Sequence, residues 1–189
     1  MTPLPDHQIR YMRDSGRISI EPYQVELVKP ASYDVCIGDQ VLHMVRVGKN
    51  PVNSRQGGNY LLVTNPANAL WVFYPGQFYL ANTVEAISLD PDVAAQVEGK
   101  STWGRLGLEV HSTAGWIDPG FSGQITLEIK VVGPCPVVVE VGEPVAQLCF
   151  FRMDSSSRKP YGSDNGKYQD QMGATPPPGS RIIKGDGNG

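Results

Sequence analysis

Residues 97–128 read VEGKSTWGRLGLEVHSTAGWIDPGFSGQITLE, and the alternation that begins at their end decides the fold. From Gln124 to Val131 apolar and polar side chains take turns. Ile125, Leu127, Ile129 and Val131 share one face, and Gln124, Thr126, Glu128 and Lys130 share the other. A period of two is that of a half-buried strand, because successive side chains point to opposite faces of a sheet. Glu128 therefore points away from the apolar layer. Asp118-Pro119-Gly120, just upstream, is a strong turn signal. At the other end, Glu98-Gly99-Lys100-Ser101-Thr102 sets a glycine beside a cation and two hydroxyls, a combination that suits an anion. Arg105 follows with a guanidinium that stays charged. Gly-Lys-Ser-Thr is also the end of a P-loop, but the upstream glycine of that motif is missing and no helical periodicity follows, so the P-loop reading is set aside.

Outward from this stretch, strand signals recur at roughly ten-residue spacing between Gly/Pro turns, the pattern of a sandwich or barrel. Val41–Val47, Tyr60–Thr64, Ala69–Tyr74 and Gln77–Leu89 are strand-like before it. Val137–Val141 and Val145–Arg152 are strand-like after it. Twenty-one glycines and sixteen prolines fit a mostly β chain with many turns. A short helix is expected over Asp6–Ser15, with Asp6 as its cap, Ile9 and Met12 on one face and Gly16 as its stop. A single helical turn is expected near Val93–Ala95. Lys49–Asn59 reads as a surface loop.

With 189 residues, 40% hydrophobic and 19% charged, one globular domain is expected. The net charge of −3 disfavours nucleic acid as a partner. No apolar run approaches the roughly 20 residues of a membrane span, and no signal peptide is visible, so no membrane partner and a cytoplasmic location are expected. Three cysteines at unrelated spacings, Cys36, Cys135 and Cys149, fit a reducing compartment and read as small buried hydrophobes.

The opening stretch resembles the signature of the dCTP deaminases, sisters of the trimeric dUTPases. The matching residues are Gly99-Lys100-Ser101-Thr102-Trp103-Gly104-Arg105-Leu106-Gly107-Leu108, His111-Ser112-Thr113-Ala114, Ile117-Asp118-Pro119-Gly120-Phe121-Ser122-Gly123 and Leu127-Glu128. Thr102 stands where the family has a second serine and keeps the hydroxyl. Weaker matches fall in the right order at Lys29–Val35, at Gly142–Phe150 with Gln147, and at Pro160-Tyr161 followed by Lys167-Tyr168-Gln169-Asp170-Gln171. The resemblance implies a dUTPase-like distorted β-barrel or jelly roll with a short N-terminal helix, assembled as a homotrimer with active sites shared between subunits. Residues 1–153 would be the single β domain, 154–173 a segment closing over the nucleotide, and 174–189 a disordered tail.

Hydrolytic deamination of cytosine needs a nucleophilic water and two proton transfers. The zinc-dependent nucleoside deaminases carry His-x-Glu and Pro-Cys-x-x-Cys, and neither motif is present, so no zinc is expected. Glu128 can serve instead as general base and then acid. The resemblance places Ser101 and Arg105 beside it as catalytic partners, puts Ala114 and Thr126, Leu127 and Glu128 at the base edge, and gives Asp118 the deoxyribose hydroxyl. Lys100, Ser101, Thr102, Gln147, Tyr161, Lys167 and Gln171 would hold the triphosphate, with Mg²⁺ riding on it. Trp103 and Gly104 fall inside the same nucleotide-binding run, although Trp103 and Trp116 also read as core or subunit contacts. His111 reads equally as a hydrogen-bonded core residue, and Asp118 as a turn former. Gly115-Trp116 resembles the branch that also cleaves the triphosphate, the small Gly115 leaving room for a second water. That branch gives dUMP and pyrophosphate from dCTP, with dTTP as feedback inhibitor. The alternatives are a deaminase that stops at dUTP, a dUTPase, and a non-enzymatic β-rich trimer.

Overall fold

The computed structural model describes residues 2–49, 51–164 and 166–184. The chain opens with α1 (Asp6–Asp14), β1 (Ile18–Glu21), a 3-10 turn at Val25–Leu27, and β2 (Val28–Lys29). Then follow β3 (Ser32–Met44), β4 (Asn59–Thr64), β5 (Leu70–Phe73), β6 (Phe78–Leu89) and β7 (Val93–Gly99). A short α2 (Ser101–Arg105) leads to β8 (Leu108–Val110), β9 (Trp116–Ile117) and β10 (Ser122–Val131). The chain closes with β11 (Val137–Glu140), β12 (Pro144–Arg152) and β13 (Arg181–Lys184).

Among the described residues, one curled sheet runs β8-β10-β6-β3-β12-β7-β9, and β5 and β11 form a separate pair. β3 turns the corner. Its residues 33–36 pair with β12, whereas residues 40–44 pair with β4 and residues 41–43 with β6. Gly38 sits at the turn-over, where a Cβ would lie 2.4 Å from the Asn82 side chain. A strand that changes partners in this way makes a corner of the sheet. Gly123, Ile125, Leu127, Ile129 and Val131 are buried on one side of β10, with Lys130 exposed on the other. Each fully buried Leu or Ile there contributes about 1.5–3 kcal/mol. The expected mostly β architecture is what forms.

Four local expectations are corrected. Asp6 is the first helical residue, and the cap position is Pro5, with no side-chain cap. Val93–Ala95 is strand, not a helical turn. These small apolar residues are wholly buried beside β12, and packing overrides alanine's helix preference. Lys100 is followed by a helix after all; α2 has five residues, too few to show a period, and Trp103 alone is buried in it. Cys135 is exposed, because Gly133-Pro134-Cys135-Pro136 is a surface turn, whereas Cys36 is buried and Cys149 half-buried.

The tail from Ala174 is ordered rather than disordered as far as Lys184. Ala174 is buried, and β13 pairs in parallel with β4. Residues 185–189 lie outside the described residues. No helix among those described is long and apolar enough to cross a membrane.

Glu85 is fully buried in β6. One carboxyl oxygen accepts from the Cys36 N–H at 2.9 Å, and Oε1 has no partner. Burial raises its pKa above the ordinary carboxylate value. A folded-state pKa above the unfolded one means that the native chain holds the proton more tightly, so stability falls as pH rises beyond the unfolded carboxylate range. Glu85→Gln is therefore expected to have a flatter Tm against pH, with the wild type losing relative to it towards neutral pH. Parallel curves would count against this account.

Candidate active site

The outer face of β10 is roofed. Gln124, Thr126 and Glu128, the polar side of the alternation, are half-buried rather than solvated. The cover is the segment after β12. The Gln124 N–H donates to the Gln171 carbonyl at 2.9 Å, and the Asp170 N–H donates to that of Ser122 at 2.8 Å. The Gly173 N–H donates to Gln124 Oε1 at 2.6 Å, and the Thr175 N–H to Thr126 Oγ1 at 3.1 Å. Two glycines make the close approach possible. A Cβ at Gly123 would lie 2.8 Å from the Gln171 carbonyl oxygen, and one at Gly120 would lie 2.6 Å from the Pro160 side chain.

Between strand and cover lies a cavity of about 400 Å³. Leu80, Val97, Ile117, Phe121 and Ile125 supply its apolar floor. His111, Ala114, Trp116, Asp118, Thr126 and Glu128 line it from the core, and Tyr161, Tyr168, Gln171, Thr175 and Pro177 from the cover. A mostly apolar pocket with a few convergent polar groups is the usual form of a small-molecule site.

The Glu128 carboxylate is held by the loop between β8 and β9. The Thr113 N–H and Oγ1 both donate to Glu128 Oε2, at 2.9 and 2.8 Å. That leaves Oε1 as the oxygen available for proton transfer. The Glu128 N–H donates to His111 Nδ1 at 3.1 Å. The imidazole proton therefore sits on Nε2, 3.8 Å from Glu128 Oε2 and without a hydrogen-bond partner of its own. Burial pushes the His111 pKa down, against an upward pull from the Glu128 carboxylate, and keeps the ring neutral. His111 is thus a hydrogen-bonded residue at the wall of the cavity.

Asp118 Oδ1 accepts from Trp116 Nε1 at 3.2 Å, and the Trp116 ring stacks on Phe151. The Tyr161 hydroxyl accepts from the Tyr168 N–H at 3.0 Å, and its ring packs on Phe121. Gln171 donates from Nε2 to the Gln124 carbonyl at 2.7 Å, while its buried Oε1 has no partner. Gly115 lies against β7. Its carbonyl accepts from the Val97 N–H at 2.8 Å, and a Cβ would lie 2.7 Å from the Val97 carbonyl oxygen. The missing side chain thus faces the backbone of β7.

A single chain does not bring every expected residue to this cavity. Ala114, Trp116, Asp118, Thr126, Glu128, Tyr161 and Gln171 line it; Lys100, Ser101, Thr102, Trp103, Gly104, Arg105, Leu127, Gln147 and Lys167 do not. Leu127 is core, Trp103 is buried with Nε1 donating to the Pro144 carbonyl at 2.9 Å, and Lys167 is exposed. Ser101, Thr102, Gly104 and Arg105 are exposed on α2.

Lys100 belongs to a second polar cluster, at the Asp34–Gln147–Glu98 register of β3, β12 and β7. Lys100 Nζ lies 2.5 Å and Lys29 Nζ 3.6 Å from Asp34 Oδ2, while Asp34 is almost wholly buried. Gln147 Oε1 accepts from Ser32 Oγ at 2.8 Å. Two ammonium groups thus meet on the Asp34 carboxylate, and one of them, Lys100, immediately precedes the exposed hydroxyls of Ser101 and Thr102 on α2.

Two residues lie in the matched stretches without having been given a role. Thr113 bonds Glu128 because the loop folds back across β10, and Asp34 gathers Lys29 and Lys100; neither contact is written in local spacing.

A family profile described as dCTP deaminase-like matches residues 3–153. Over 178 residues the chain is 42% identical to a protein of Thermobifida fusca named dCTP deaminase, dUMP-forming, covering 92% of this chain and 90% of that one. A protein of Beutenbergia cavernae with the same name is also 42% identical, over 91% of this chain and 92% of its own. Among solved structures, the 2'-deoxycytidine 5'-triphosphate deaminase of Agrobacterium tumefaciens superposes with a TM-score of 0.62 at 24% identity. That match covers 78% of this chain and 47% of the other, and shows likeness of fold.

Proposed function

The chain belongs to the dCTP deaminase-like family, and from that premise we propose that its cavity converts dCTP and two waters into dUMP, pyrophosphate and ammonia. One water replaces the amino group of cytosine, and the other cleaves between the α- and β-phosphates. The observation that carries this is Glu128, pinned through Oε2 on the wall of a covered cavity of suitable size.

In this reading Glu128 Oε1 takes one proton from the water that attacks the amino-bearing ring carbon and passes it to the ring nitrogen. The same carboxyl then takes the second proton from the new hydroxyl on that carbon and gives it to the amino group as it leaves as ammonia, so that one group serves both halves of the exchange. Thr113 holds the carboxylate in register throughout. The neutral His111 Nε2–H faces Glu128 Oε2 at 3.8 Å without adding charge. Thr126 and the Ala114 backbone meet the base edge, and Asp118 accepts from the sugar hydroxyl. Tyr161 and Gln171 close the nucleotide in.

Ser101 and Arg105 complete the site from a second copy of the chain. They are exposed on α2 and absent from the chain's own cavity, which supports a homotrimer with shared sites. Lys100, Thr102 and Gln147 would then present the positive cluster around Asp34 to the triphosphate. Among the described residues no three His, Cys, Asp or Glu side chains converge as a metal cage. Mg²⁺ fits this site as a passenger on the phosphate oxygens, where it would neutralise their charge. dTTP would compete for the same cavity, and the same proposal places the reaction in the cytoplasm.

Product analysis with dCTP and Mg²⁺ tests the reading. Equimolar ammonia, dUMP and pyrophosphate are expected. Ammonia with dUTP would make the enzyme monofunctional, dUTP cleavage without ammonia would make it a dUTPase, and no turnover would overturn the enzyme.

A further inference from the structure

Two carboxylates stand on the wall of the cavity, those of Glu128 and Asp118. The backbone at Asp118 is fixed by a turn. The Phe121 N–H donates to the Asp118 carbonyl at 3.2 Å, and the Gly120 N–H donates to the Leu89 carbonyl at 3.1 Å. The Asp118 side chain is exposed. Among the described residues its carboxylate has one hydrogen-bond partner, the Trp116 indole, whose Nε1–H donates to Oδ1 at 3.2 Å. A short exposed side chain spreads over about three staggered wells unless a contact selects one of them.

Trp116 is placed to make that selection. It precedes Asp118 by two residues, and both side chains are exposed with Ile117 buried between them, as alternation along an extended chain requires. Trp116 pairs with Gln96 of β7, and Ala94 of β7 pairs with Phe151 of β12. The register stands both rings on one face of the sheet. Their centroids are 5.9 Å apart and their planes 29° from parallel. This stacking fixes the plane of the indole, and so the direction of its N–H. Trp116 is 46% exposed against 6% for Trp103, so burial does not account for an indole at this position.

We propose that Trp116 is a positioning residue for the sugar end of the nucleotide. The inference rests on the reading of this cavity as the nucleotide site, with Asp118 accepting from the deoxyribose hydroxyl. The indole donor on Oδ1 selects one rotamer of Asp118 and leaves Oδ2 for the 3′-hydroxyl. Trp116 acts through Asp118, so its effect is confined to nucleotides that carry that hydroxyl.

Trp116→Phe keeps a ring against Phe151 and removes the donor. The variant is compared with wild type on dCTP and on its 2′,3′-dideoxy analogue, which lacks the hydroxyl. Releasing Asp118 to all its wells lowers the competent fraction, and with it the apparent affinity, by about threefold. For dCTP, kcat/KM for ammonia release is therefore expected to fall about threefold, through KM with kcat held, while the dideoxy analogue is unaffected. An equal loss on both nucleotides, as a lost packing or phosphate contact would give, overturns the role. No loss on either overturns it too. NMR of the nucleotide-free protein is an independent check. The indole Nε1–H resonance that Trp116→Phe removes is expected to move in Asp118→Asn, and an unmoved resonance overturns the contact. A resonance that moves in a protein inert towards dCTP overturns the substrate reading, and the sugar role with it, while the contact stands.

Discussion

Glu128→Gln is expected to cut the rate of ammonia release from dCTP by at least about a thousandfold, within the range a positioned acid-base group contributes. The substitution is nearly isosteric. A glutamine carbonyl oxygen can still accept both Thr113 donors, as Glu128 Oε2 does at 2.9 and 2.8 Å. The loop from His111 to Ala114 then keeps its place, and so does the cavity. What is lost is the basic Oε1, replaced by an amide that cannot take a proton from water. Binding of dCTP, measured by calorimetry, should therefore stay close to wild type while turnover disappears. A kcat within about tenfold of wild type would remove Glu128 from the chemistry. Weakened binding in step with weakened turnover would mean that its role is structural.

The second large effect separates one chain from several. Arg105→Ala is expected to lower turnover by about a hundredfold or more, the scale of losing a preorganised charge at a reacting centre. Arg105 is exposed and outside its own chain's cavity, so under the proposal of shared sites the loss is felt in another subunit. Coexpressing Glu128→Gln and Arg105→Ala chains distinguishes the arrangements. If each site draws its carboxylate from one subunit and its guanidinium from the next, random assembly of equal amounts makes about one site in four fully intact. Recovery of about a quarter of wild-type activity is expected from two inactive parents. If both groups came from one chain, every chain in the mixture would carry a defect and nothing would return. Ammonia release by the purified mixed oligomer is the measurement.

How far the sequence leads depends on whether a residue's partners are near it in the chain. β10 was legible because one of its faces is wholly buried and the other is not, which writes a period of two into Gln124–Val131. α1 was legible for the same reason, through Ile9 and Met12. β7 was misread because Ala94 and Ala95 are buried by β12, some fifty residues away, and alanine carries no strand preference of its own. The ordered tail was misread because Thr175, Pro177 and Gly179 have the composition of a linker. They are fixed by a threonine hydroxyl on β10 and by backbone on the β4 loop, neither of which leaves a periodic trace. For the site, the resemblance drew Glu128, Ser101 and Arg105 together, whereas the fold of one chain brings only Glu128 to the cavity.

Aligned on one strand, these contacts also say how the chain must assemble. β3 forms ladder bonds with β2, β4, β6 and β12, and Tyr33 is opposite Leu148. No hairpin can be cut away without severing that strand's register on the other side of the corner. High contact order of this kind slows the search for the native topology. Equilibrium denaturation should therefore report one transition, and refolding of the monomer should run in milliseconds to seconds, not microseconds.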